Sequence, residues 1–135
     1  MSARVKLLGP LVVWTLFVWT SRIRNVWADE DLTTGGQILR TGYSVVFLAG
    51  GLFAAWLLWS RRGSSLRSSD RVGLAVFFAW SVVFWLIRGI GIIVDDHDAG
   101  FTAIHTVLMV ISLGLVWLAV PVVRTRSADR EPASV

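Results

Sequence analysis

Cysteine is absent from the chain, which excludes disulfides, thiolate nucleophiles and cysteine-bound metals. Lysine is almost as scarce: Lys6 is the one lysine among 13 cations. That bias fits a GC-rich bacterial genome better than arginine-specific chemistry. There are two histidines, His97 and His105. The serines cluster around residues 60–69, far from both in sequence, so no nucleophile and base are paired, and no Gly-rich phosphate cradle follows a strand. An enzyme is therefore the least supported class, and no cofactor motif is present. Charge is thin, at 16% of residues.

What remains is apolar. The chain is 55% hydrophobic with a mean hydropathy of +0.66, too apolar for a soluble domain of this size. Four runs, 5–27, 41–59, 72–94 and 101–123, contain no acid, and each approaches the roughly 20 residues a spanning helix needs. The expected fold is an all-α membrane protein of four transmembrane helices packed as two antiparallel hairpins. Residues 1–126 form this domain, leaving no soluble catalytic domain. Residues 127–135 form a polar tail expected to be disordered and cytoplasmic. A cleaved leader ending at Ala28 is the competing reading of the first run, but Arg22 and Arg24 lie where leaders are seldom basic.

Cations favour alternate sides of these spans. Arg4, Lys6, Arg61, Arg62, Arg67, Arg71, Arg124, Arg126 and Arg130 fall on one side, against Arg22, Arg24, Arg40 and Arg88 on the other. Acids lean the opposite way, with Asp29, Glu30, Asp31, Asp95, Asp96 and Asp98 beside the smaller set. By the positive-inside rule both termini are cytoplasmic and the acidic loops face outward, placing the chain in a bacterial cell membrane. The net charge of +4 reflects short flanks beside spans rather than a basic surface for nucleic acid. The expected partners are the lipid bilayer and another membrane protein or a second copy.

One internal offset is informative. Shifting by 66 residues maps Trp14, Trp19, Arg22, Asp29 and Glu30 onto Trp80, Trp85, Arg88, Asp95 and Asp96. This is a candidate two-plus-two repeat; the competing reading is that outward helices commonly end in aromatics, then arginine, then acid. Trp27, Trp56, Trp59 and Trp117 fall near span ends as interfacial anchors. Gly50-Gly51, Ala54-Ala55, Ala75, Ala79 and Gly114 offer close helix approach. Residues 29–37, with Thr33-Thr34-Gly35-Gly36, read as a turn-rich connection, and 60–70 as a polar loop.

Arg88 carries the sharpest chemical expectation. A cation at a span centre costs about 2.5–3.5 kcal/mol, less near the interface, so it requires a partner or a wet cavity. A tight turn after Val94 sets Arg88 level with His105, with Trp85 one turn away as a cation–π face. Thr102, His105, Thr106 and Ser112 form a polar stripe on the last helix. The candidate ligand-binding set is Arg88, His105 and, through the repeat, Arg22; the structural alternative has Arg88 reaching Asp95 or lipid phosphate. Asp95, Asp96, His97 and Asp98 resemble metal ligands, but no spacing fixes two donors on one helical face, and Asp98 suits a helix N-cap. Four-span multidrug transporters depend on a glutamate inside the first helix, and here no acid precedes Asp29. The leading functional expectation is a non-catalytic accessory or interaction subunit, with a small oligomeric transporter or channel as the alternative.

Overall fold

The computed structural model describes residues 2–95 and 97–124. The expected tail and Asp96 lie outside them. Four helices follow one another: α1 Ala3–Ala28, α2 Thr34–Ser60, α3 Ser68–Val94 and α4 Ala99–Arg124. Each has 26 or 27 residues and is long and apolar enough to cross a membrane. At 1.5 Å rise that gives roughly 40 Å, against a hydrocarbon core of about 30 Å. The chain is thus an all-α membrane bundle, and its helices extend past the apolar runs into the headgroup zone.

Capping explains the added length. The Ser2 hydroxyl accepts from the Val5 amide at 3.3 Å at the start of α1. Thr33 accepts from the Gly36 amide at 3.1 Å, so the segment Thr34-Gly35-Gly36-Gln37, expected as connection, is the first turn of α2. The true linker is 29–33, closed by the Asp31 amide on Asp29 Oδ1 at 3.0 Å. At α3, Asp70 reaches back to the Arg67 amide at 3.0 Å, which starts the helix at Ser68 inside the expected loop. Asp98 accepts from the Phe101 amide at 2.7 Å, the N-cap role expected of it. An N-cap supplies an acceptor to amides that have no partner within the helix.

Cross-helix contacts set the directions. Trp27 Nε1 donates to Thr41 Oγ1 at 2.9 Å, while Trp19 stacks on Phe47 at 4.0 Å, so α1 and α2 run antiparallel. Gly50 of α2 faces Phe77 of α3, and Gly73 of α3 faces Phe53 of α2. Trp14 Nε1 donates to Ser112 Oγ at 2.9 Å, joining α1 to α4. Packing is most extensive between α1 and α2 and between α3 and α4, and sparsest between α2 and α3. Among the described residues α1 and α3 share no close backbone approach and meet only through side chains across the diagonal.

The core is a thin column. Leu8, Leu57 and Leu74 are fully buried toward one end and Trp19, Phe47 and Trp85 toward the other. Large apolar side chains such as Val13, Phe17, Ile87 and Trp117 cover the outside. In water such a surface would drive aggregation, and in a bilayer it is solvated by acyl chains. Ala75, Ala79 and Gly114 are exposed rather than wedged between helices. Gly50, Gly73 and Gly89 admit a neighbour's side chain, the last against Met109, and Gly51 packs against Thr15 and Leu16 of α1, with Ala54 buried one turn on.

Candidate functional site

Arg22 on α1, Arg88 on α3 and His105 on α4 line one cavity of about 220 Å³ at the acidic-loop end of the bundle. Its floor is aromatic. Trp19 and Trp85, equivalent positions in the 66-residue offset, meet at 5.9 Å between ring centroids. Phe84 lies edge-on to both, at 5.3 Å from Trp19 and 6.0 Å from Trp85. Edge-to-face contacts fix the orientation of the rings at this level. The arginines therefore project from a rigid base. Asn25, one turn beyond Arg22, lines the mouth and is exposed.

The histidine contacts define its protonation pattern. His105 Nδ1 lies 2.9 Å from the Phe101 carbonyl one turn earlier, and Nε2 lies 3.3 Å from Arg22 Nη1. A carbonyl accepts and a guanidinium donates, so the neutral tautomer with hydrogen on Nδ1 satisfies both contacts. The ring also packs against Phe101 at 4.0 Å between centroids, tilted by 32°. His105 thus serves as an acceptor that steers Arg22, a residue that also lines the cavity.

Arg88 is half-buried. Among the described residues no hydrogen bond or ion pair joins its guanidinium to Asp95, and the residue in hydrogen-bond contact with His105 is Arg22, not Arg88. The expected cation–π pairing with Trp85 is likewise replaced: the described arginines lying over indole rings are Arg61 over Trp56 at 5.7 Å and Arg62 over Trp59 at 4.3 Å. Trp85 is instead 6% exposed and packed into the aromatic floor. None of the described residues lining the cavity is a carboxylate. Two guanidinium groups with a hydrogen-bond acceptor beside them form an environment that favours an anion.

The polar stripe of α4 has two uses. Ser112, 4% exposed, receives the Trp14 indole hydrogen, and Thr106 turns its hydroxyl onto the Thr102 carbonyl at 2.7 Å. Of the metal-ligand candidates, Asp95 closes α3 with its amide on the Gly91 carbonyl, Asp98 caps α4, and the His97 ring packs on Phe101 at 4.7 Å. Asp96 lies outside the described residues. Among the described residues no three His, Asp or Glu side chains gather into a ligand set. Sequence reasoning missed Asn25 at the mouth and the adjacency of α1 and α4, because hairpin arithmetic pairs only consecutive helices.

No protein-family model, curated protein or solved structure matches the chain. A small integral membrane protein is the class that its four apolar helices define.

Proposed function

We propose that this chain is a non-catalytic accessory or interaction subunit of a cell membrane whose site between α1, α3 and α4 binds a small organic anion. One observation carries the reading: Arg22 and Arg88, on diagonally opposed helices, converge on a single cavity that no described carboxylate lines. The anionic group sits between the guanidinium groups, and the apolar body rests on Trp19, Phe84 and Trp85. By the positive-inside rule the arginine-rich end is cytoplasmic, so both chain ends are inside and the cavity opens outward. The exposed faces of α3 at Ala75 and Ala79 and of α4 at Gly114 suit a second membrane protein or another copy.

Benzoate and its neutral isostere benzamide separate charge recognition from apolar binding. With purified protein in nanodiscs, benzoate should raise the thermal midpoint and benzamide should not. Arg22→Gln and Arg88→Gln should each weaken benzoate by roughly tenfold or more, the loss of one charge-assisted contact. Equal effects of the two compounds, or unaltered benzoate binding in the double variant, would overturn the site. Benzoate flux through liposomes containing this protein alone would replace the accessory role with a transporter or channel.

A further inference from the structure

The opposite end of the bundle holds a larger groove of about 780 Å³, framed by the start of α1, the loop between α2 and α3, and the end of α4. We propose that it binds an anionic phospholipid, its phosphate held by Arg4 and Arg62 and an acyl chain lying along Leu7, Leu66 and Val122. The inference rests on the bilayer placement of the helices and is independent of the anion cavity at the other end.

The arginines are positioned in different ways. Arg4 Nη1 donates to the Arg61 carbonyl at 2.9 Å, and both of its terminal nitrogens donate to the Ser64 carbonyl at 3.2 Å. This ties the loop across α1 and holds the Arg4 guanidinium at the groove. Arg61 pairs with Asp70 at 2.9 Å, so its charge is already matched. Arg62 is exposed and lies over the Trp59 ring at 4.3 Å. Trp59, 70% exposed at the end of α2, marks the headgroup level, where indoles concentrate. None of the described residues lining the groove is acidic.

Lipid chemistry fits better than a free anion. The wall formed by Leu7, Leu66, Pro121 and Val122 is apolar and continues from the cationic rim, an amphipathic surface that matches a headgroup joined to a chain. Inorganic phosphate would use the rim and leave the wall bare. Basic pockets between spanning helices on the arginine-rich side suit anionic headgroups, each nearby cation contributing on the order of a fivefold gain in affinity.

The test uses the full chain in mixed micelles containing dioleoylphosphatidylglycerol, dioleoylphosphatidylcholine or inorganic phosphate, reading thermal midpoint against concentration. Phosphatidylglycerol should give a saturable rise that the other two lack. Arg4→Gln with Arg62→Gln should shift half-saturation roughly thirtyfold, whereas Arg24→Gln with Arg40→Gln, an equal charge loss at the other end, should leave it in place. Should the first pair fail to fold, Arg62→Gln alone should give a roughly fivefold shift. Phosphatidylcholine as effective as phosphatidylglycerol, or equal losses from the two charge-matched pairs, would overturn the site. Saturation by inorganic phosphate at the same concentration would overturn the lipid assignment.

Discussion

His105 takes a different place in the site from the one its sequence position suggests. Its Nδ1 faces its own helix and its Nε2 faces Arg22, so it orients one arginine and leaves the other to the cavity. Two double-mutant cycles in detergent check this division. Arg22→Gln with His105→Ala should show coupling of about 0.5 kcal/mol or more, as contacting residues do. Arg88→Leu with Asp95→Asn should be additive within about 0.5 kcal/mol; strong coupling there would restore the direct Arg88–Asp95 contact that the geometry lacks. At the other end, Asp70 Oδ2 accepts from both Arg61 Nε and the Arg67 amide while 5% exposed. Asp70→Asn removes the charge and should cost about 1.5–3 kcal/mol of unfolding free energy, the range for hydrogen bonds to ionised groups. A loss below about 0.5 kcal/mol would show that the pair behaves as an exposed surface bridge.

Among the elements, α2 and α3 hold the sharpest packing constraint. Their contact is the sparsest of the four neighbouring pairs, yet it is reciprocal, with Phe77 over Gly50 and Phe53 over Gly73. A methyl group at Gly50 would drive into the Phe77 ring, which is itself 6% exposed and cannot swing clear. Gly50→Ala should therefore destabilise by about 1–3 kcal/mol despite the better helix propensity of alanine. Gly114→Ala meets nothing within 4 Å and should be neutral or stabilising, measured by the same detergent melts.

The existence of all four helices was legible because a spanning segment must be long, apolar and free of acid, and those demands leave a mark on every residue of the run. Their ends were less legible. Thr33 and Asp70 cap helices that continue through polar residues, and the glycines after Thr33 resemble a turn when read by composition. Small residues misled in part: Ala75 and Ala79 have interface spacing but face outward, because Gly73 lies where Phe53 packs. Arg22, Arg88 and His105, which line one cavity, stood out individually, since an arginine within an apolar run requires an explanation. Their pairing was not legible, because the partner of His105 lies on α1, and α1–α4 adjacency is a property of bundle closure rather than of any local spacing.

For the whole molecule, four antiparallel helices place the start of α1, the 61–67 loop and the end of α4 together, and the 29–33 loop, the end of α3 and the start of α4 at the opposite end. The proposed orientation, with the arginine-rich end in the cytoplasm, rests on the positive-inside rule. Native cysteine is absent, so an introduced cysteine is the single thiol by which this chain can be labelled in intact cells. Ser64→Cys should be protected from an impermeant maleimide, and Thr34→Cys should react; the reverse pattern would invert the orientation. The most direct test joins orientation to the site through Asn25, exposed at the cavity mouth. Asn25→Cys should label from outside intact cells, benzoate should slow that labelling while benzamide does not, and Arg22→Gln with Arg88→Gln should abolish the protection. Labelling of Asn25→Cys that benzoate leaves unchanged, or protection that survives loss of both arginines, would contradict the anion site.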